Sequence, residues 1–335
     1  MISISVIVPV YGVEKYVGRC VESVMAQATN FAGMLECVIV NDCTSDGSME
    51  VVKGLLEKYK GTIRFKIITH DKNLGLSEAR NTGIKASSGD YILFLDSDDE
   101  LMPGAIASFA RKVEEYPDVD MVVGEYACEG DCQHLRIKIK DDCLKGKNSC
   151  KKAFLREKLF PDTAHNKLVS RSFLVDNGLY FRPGIYHEDN LWKWHCAKYV
   201  ESVSFLRCPT MVYNMNPCSI SNKPIESRIE SLMAIMKEKI STIDNCERTA
   251  QLFNATLLLH QIDERVRRIS DMAYYQAVKR KIRGYAEALR IENLKEPSLR
   301  VSLSLSLLDL KLRLPLGSFR SVYRTAHIIA RRLVN

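Results

Sequence analysis

Apolar residues along the first third of the chain alternate between short continuous runs and stripes at helical spacing. Ile4 to Val8 is a β-branched run closed by Pro9, which predicts a strand. Val17, Cys20, Val21, Val24 and Met25 then recur at i, i+3, i+4, which predicts a helix over residues 14–27. Glu36 to Val40 repeats the strand pattern and breaks at Asn41-Asp42-Cys43-Thr44-Ser45-Asp46-Gly47, where Ser45 stands ready to cap a helix over 48–59. A third strand, Arg64 to Ile68, leads through His70-Asp-Lys-Asn73-Leu-Gly75 to a helix from Ser77 to near Gly89. Tyr91 to Leu95 is the pattern of a strand buried on both faces of a parallel sheet. A helix from about Pro103 to Tyr116 and a strand from Val119 to Val123 follow. This rhythm predicts an α/β fold with a doubly wound, mostly parallel sheet and right-handed crossovers.

In such a sheet the ligand lies outside the carboxyl ends of the strands. Here those ends read Pro9-Val-Tyr11, Asn41-Asp42 and Asp96-Ser97-Asp98-Asp99. A buried strand cannot carry three carboxylates in low dielectric without a compensator, so they belong at its exit, around a divalent cation. Hard oxygen ligands favour Mg²⁺ or Mn²⁺. Tyr11 can offer a face to a base, Asp42 can accept from a ring N–H, and Asp96 with Asp98 can hold a metal on a diphosphate. That combination describes a nucleotide-diphosphate site without a glycine-rich loop. Neither G-x-G-x-x-G nor G-x-x-x-x-G-K-[ST] occurs, which argues against a dinucleotide enzyme or a P-loop NTPase.

Composition adds a second part to the picture. The 335 residues, 46% hydrophobic and 27% charged, suit one large domain with an extension. The first residues lack a basic n-region and no window approaches 18 uninterrupted apolar residues, so a cytoplasmic chain without a membrane span is expected. Eleven cysteines, with Cys20, Cys37 and Cys43 inside predicted core elements, fit a reducing compartment better than a disulfide framework. Cys128, Cys132, Cys143 and Cys150 contain no C-x-x-C pair, which disfavours zinc. Residues 1–225 carry 28 Lys and Arg against 29 Asp and Glu, whereas residues 226–335 carry 20 against 12, so the basic excess belongs to the last third. Helical patterning there covers about 226–245, 250–272 and 274–291. Phe319, Val322, Tyr323, Ala326, Ile329, Ala330 and Leu333 then form an apolar stripe interleaved with Arg320, Arg324, His327 and Arg331. Residues 318–335 thus read as a helix lying in the plane of an anionic membrane, or as a packing or dimerisation helix with a basic face. No nucleic-acid motif accompanies the charge.

These residues in this order resemble the inverting family 2 glycosyltransferases of the GT-A fold, especially bacterial enzymes of capsule, O-antigen and exopolysaccharide assembly. The motifs are Val6-Ile-Val-Pro9-Val-Tyr11, Val40-Asn41-Asp42-Cys-Thr-Ser-Asp46-Gly-Ser48, Asn73-x-Gly75-x-Ser77-x-Ala79-Arg80-Asn81-x-Gly83 and Phe94-Leu-Asp96-Ser97-Asp98-Asp99. Asn166-Lys167-Leu168, Gly184-Ile-Tyr-His187-Glu188-Asp189, Tyr213 and Ser219-Ile-Ser221 continue them. The resemblance covers residues 1–225 and implies a catalytic domain there, with a nucleotide-binding half (1–125) and an acceptor half (126–225), followed by a helical extension (226–335). It implies a UDP-sugar donor at Pro9, Tyr11, Asp42, Arg80, Asp96 and Ser97, and Mn²⁺ or Mg²⁺ at Asp96, Asp98 and Asp99. Asp189 is implied as the base beside Glu188, acting on a hydroxyl of a glycan or lipid-linked oligosaccharide at the inner membrane face. The chain departs from the family in Asn41 and Cys43, where Asp and Gly are usual. Trp192 and Trp194 cannot face the same way on one helix, so one is expected in the core and the other at the acceptor pocket. A sugar nucleotidyltransferase and a catalytically idle nucleotide-binding protein of a polysaccharide complex are the alternatives, and a homodimer is left open.

Overall fold

A computed structural model describes residues 2–29, 31–128, 135–156, 159–214, 224–295 and 297–313. The chain divides into two compact units, Met1–Ser219 and Ile220–Asn335.

In the first unit, strand β1 (Ser3–Val10) is buried along nearly its whole length because it pairs in parallel on both sides, with β2 (Met34–Asn41) and β4 (Tyr91–Phe94). Strand β3 (Arg64–Thr69) pairs in parallel with β2 and forms the edge. Helix α1 (Val17–Met25) buries Val17, Cys20, Val21 and Val24, the face its spacing predicts. Helix α2 (Ser48–Lys58) starts one turn beyond Ser45, and Asp46 is the local acceptor: its Oδ1 takes the Ser48 N–H at 3.2 Å and the Ser48 hydroxyl at 2.5 Å. Helix α3 (Leu76–Ala86) begins after Gly75, whose φ of 88° favours glycine. It lies close on β1: a Cβ at Gly83 would stand 2.3 Å from Ile7 Cγ2.

The next strands change the sheet. Strand β5 (Glu100–Leu101), helix α4 (Ala105–Glu115), β6 (Met121–Cys128), β7 (Cys143–Lys145), helix α5 (Lys147–Leu155), β8 (Lys167–Ser170), helices α6 (Arg171–Asp176) and α7 (Glu188–Cys196), and β9 (Ser202–Tyr213) complete the unit. Among the described residues the strand order is β3-β2-β1-β4-β8-β6-β9-β5, with β7 on β9. The doubly wound parallel part is β3-β2-β1-β4; beyond it the sheet is mixed, because β8 runs antiparallel to both β4 and β6. The order reverses at β1, so the crevice expected for a ligand opens at the carboxyl ends of β1 and β4. The antiparallel run of β8 brings its beginning, residues 165–167, to that same edge: the Asn166 N–H donates to the Phe94 carbonyl at 3.2 Å.

Both tryptophans are core. Trp192 and Trp194 are 1% and 3% exposed, since α7 is covered on more than one side. Trp192 stacks on Phe181 at 5.1 Å and donates from Nε1 to the Leu179 carbonyl. Eight cysteines among the described residues are free thiols, and Cys128 is disulfide-bonded, a pairing that departs from the reduced set expected.

The second unit holds α8 (Ile225–Ser241), α9 (Arg248–Val266), α10 (Met272–Lys295) and α11 (Leu299–Arg313), the last an addition to the helices expected. Polar bonds tie its helices inside: Lys239 Nζ to Asn254 Oδ1 at 2.9 Å, Arg267 Nη2 to the Lys311 carbonyl at 2.6 Å, and Arg248 to Glu292. The amphipathic segment 318–335 lies outside the described residues, as do Ser219 and Ser221.

Candidate active site

The β4 exit turns through Ser97 and Asp98 and is closed by the Asp99 N–H donating to the Asp96 carbonyl at 3.0 Å. Arg80, projecting from α3 toward this turn, is 1% exposed. Its Nη2 donates to Asp96 Oδ1 at 2.8 Å, and its Nη1 donates to Glu188 Oε1 at 2.8 Å and Asp189 Oδ1 at 3.0 Å. One cation thereby joins the strand exit to the first turn of α7, where the positive end of the helix dipole also favours anions. Burial alone would raise the Asp96 carboxyl, but the Arg80 charge overrides it and holds it below the usual carboxylate range. Glu188 goes the other way: burial first, then the Asp189 charge, raise it above the usual carboxylate range.

The three turn carboxylates do not converge into a cage. Asp99 is 1% exposed; its Oδ1 takes the Asn214 N–H at 2.9 Å and its Oδ2 lies 3.5 Å from His165 Nδ1. Burial and the neighbouring Asp96 charge push it up to about 9. Among the described residues no three of His, Cys, Asp and Glu form a ligand set. Of the three carboxylates expected around the metal, Asp99 faces inward and Asp96 Oδ1 is held by Arg80. Asp98, at the head of the turn, is partly exposed and is a carboxylate that could meet a cation there. This donor set fits Mn²⁺ or Mg²⁺, which take one or two carboxylates and complete their shell with phosphate oxygens and water.

Asp42, at the exit of β2, is 3% exposed. Its Oδ1 accepts from His70 Nδ1 at 2.7 Å and the Leu74 N–H at 2.8 Å, and its Oδ2 accepts from the Gly75 N–H at 2.8 Å. Asp42 therefore holds the 70–75 loop in place beside the crevice, with His70 anchored on its other side by Thr82 Oγ1 at 2.9 Å. Tyr11 stands 53% exposed where β1 ends, while Pro9 and Ser97 are buried.

His165 and Tyr126, which the motifs did not mark, and Tyr213 and Lys167, which they did, complete the site. His165 stacks on Tyr213 at 6.2 Å and stands 3.8 Å from Asp96 Oδ2; burial lowers its pKa, which favours the neutral ring. The Tyr126 hydroxyl donates to the His165 carbonyl at 2.9 Å. Lys167 is buried next to this network, and burial followed by the charge of Lys193 lowers it to about 7. The signal for these groups is the reversal of β8, which sequence periodicity does not reveal.

Comparison with known proteins bears on the family and the fold. The family model described as Glycosyl transferase family 2 matches residues 5–178. EpsH of Bacillus subtilis (strain 168) is 30% identical over 240 residues, covering 70% of this chain and 67% of EpsH. The glycosyltransferase GlyA of Streptococcus pneumoniae serotype 4 is 26% identical over 295 residues, 84% of this chain but 41% of GlyA, so the chain spans less than half of that relative. Among solved structures, Staphylococcus aureus TarS 1–349 in complex with UDP-GlcNAc superposes with a TM-score of 0.71 at 18% identity, over 99% of this chain and 90% of that one. At that identity the likeness is one of fold, the GT-A fold.

Proposed function

The chain belongs to glycosyl transferase family 2 and is a glycosyltransferase, and from that premise we propose that it moves a sugar from a UDP-sugar to a hydroxyl of a lipid-linked glycan in cell-surface polysaccharide synthesis. The observation that carries this reading is the Arg80 guanidinium, bonded at once to Asp96 at the β4 exit and to Glu188 and Asp189 at the start of α7. A strand-exit carboxylate suited to the donor side and a carboxylate suited to proton removal share one cation. The UDP donor is supported by the fold shared with TarS, whose crystal structure holds UDP-GlcNAc. The exposed Tyr11 ring at the mouth of the crevice supports it too.

In this reading residues 1–125 take the nucleotide and residues 126–225 the acceptor. The acceptor oxygen forms a bond to the anomeric carbon as the bond from that carbon to the diphosphate oxygen breaks. UDP leaves with the bonding electrons, and the hydroxyl proton passes to Asp189. Attack opposite the leaving group inverts the anomeric centre. Asp189 takes the base role because its side chain is 21% exposed against 7% for Glu188, so an acceptor can reach it. Arg80 holds the carboxylate in place during the transfer. Mn²⁺ or Mg²⁺ at Asp98 would neutralise charge developing on the departing diphosphate.

Residues 318–335 are proposed as a peripheral contact with an anionic membrane surface. Among the described residues no helix is long and apolar enough to cross a membrane. The functional test is UDP release from a panel of UDP-sugars in the presence of lipid-linked acceptors. Acceptor-dependent release supports the reading, whereas turnover confined to GDP-, CDP- or dTDP-sugars contradicts the donor assignment.

A further inference from the structure

The triplet Ala79-Arg80-Asn81 makes contacts that a nucleotide-binding arginine does not need. Arg80 is 1% exposed, so a bound nucleotide cannot reach its donors without moving the side chain. Beneath it lies the Phe181 ring, 5.2 Å from the guanidinium carbon. Phe181 packs edge-on against Phe94 of β4 at 5.4 Å and stacks on Trp192 of α7 at 5.1 Å. Asn81, the next residue, fixes the same segment from the side: its Nδ2 donates to the Phe181 carbonyl and its Oδ1 accepts the Phe181 N–H, both at 2.8 Å. Aromatic packing, the Asn81 pair and the Arg80 fork therefore bind the same three segments together: the β4 exit, the approach to α7, and α7's first turn.

A guanidinium is a rigid planar fork, whereas an ammonium is a point charge on a rotatable stem. Only the fork can serve Asp96 from one terminal nitrogen and the Glu188–Asp189 pair from the other. We infer that Arg80 is a positioning residue for the base: it fixes the Asp189 carboxylate relative to the strand exit that faces the donor, and makes no contact with the nucleotide. The inference rests on the reading of Asp189 as the base. Its consequence is that Arg80 acts on the chemical step through Asp189, so that removing Asp189 removes the reason for Arg80.

The test is a double-mutant cycle of Arg80→Lys and Asp189→Asn in the 335-residue chain, with kcat measured at saturating UDP-sugar and Mn²⁺ and donor KM measured separately. Arg80→Lys is expected to lower kcat about 10- to 100-fold, the scale of a small misplacement of a reacting group, with donor KM within about threefold of wild type. In the Asp189→Asn background the same substitution is expected to change kcat less than about threefold. A raised donor KM at unchanged kcat, or effects that multiply in the double variant, would overturn the inference while leaving the base reading intact. Near-normal turnover by Asp189→Asn alone sinks the base reading instead. If Arg80→Lys loses its cooperative melt, Arg80→Gln, a planar donor group on a shorter stem, replaces it. The same non-additivity with Asp189→Asn is then required, and multiplicative effects overturn the inference.

Discussion

Lys167 offers a quantitative check on how dry the floor of the site is. It opens β8, is 2% exposed, and donates to the Thr163 carbonyl, with Thr163 Oγ1 at 3.4 Å. Burial, helped by Lys193, lowers it from 10.5 to about 7. The unfolded chain therefore holds this proton more tightly than the folded one. The resulting penalty on stability is fully present below pH 7 and disappears as pH rises through the unfolded value near 10.5. At about 1.4 kcal/mol per pH unit, the shift corresponds to about 5 kcal/mol at its limit, of which about 3 kcal/mol is relieved between pH 7 and pH 9.5. Lys167→Met removes the proton and loses the bond to Thr163, an offset of about 1 kcal/mol that does not vary with pH. The stability of the variant minus that of wild type is expected to fall by about 3 kcal/mol from pH 7 to pH 9.5. Urea unfolding followed by tryptophan fluorescence measures it, because the two tryptophans of the chain, Trp192 and Trp194, both report on the catalytic unit. A difference that stays constant over that range would refute the reasoning, since Lys167 would then carry the same charge in both states.

Asp98→Asn is expected to abolish the metal-stimulated part of UDP binding, read as the thermal shift produced by UDP with Mn²⁺ minus that with EDTA. A shift that remains metal-dependent in the variant contradicts the assignment of Asp98. Deleting residues 318–335 is expected to reduce co-sedimentation with anionic phosphatidylglycerol vesicles while leaving turnover on a soluble acceptor in place. Unchanged sedimentation removes the membrane role of that segment.

Much of the parallel half was legible because each element carries its own local signal. The β-branched run at Ile4 to Val8, the stripe of Val17, Cys20, Val21 and Val24, and the apolar run ending at Leu95 all become the predicted elements. What local patterning cannot express is a reversal. β8 reads like any short apolar strand, and only its antiparallel pairing with β4 brings His165 and Lys167 to the β4 exit. The same holds for Arg80 and Glu188, separated by 108 residues in sequence and 2.8 Å in space. Asp42 and Asp99 show a second reason. Their chemistry as acceptors was readable, but their partners were not: backbone N–H groups of Leu74, Gly75 and Asn214. A carboxylate that a motif marks for a ligand can equally hold a loop. Trp192 and Trp194 show a third, since opposite faces of α7 are both covered and alternation on the helix no longer separates core from pocket.

The central claim is that Asp189 removes the acceptor proton. The most direct measurement is the turnover of Asp189→Asn at saturating UDP-sugar, acceptor and Mn²⁺, set beside its UDP affinity. The account predicts a loss in kcat of about 10²-fold or more, the scale of a missing general base, with UDP affinity within about threefold of wild type. Near-normal turnover with the fold and UDP binding intact would contradict it.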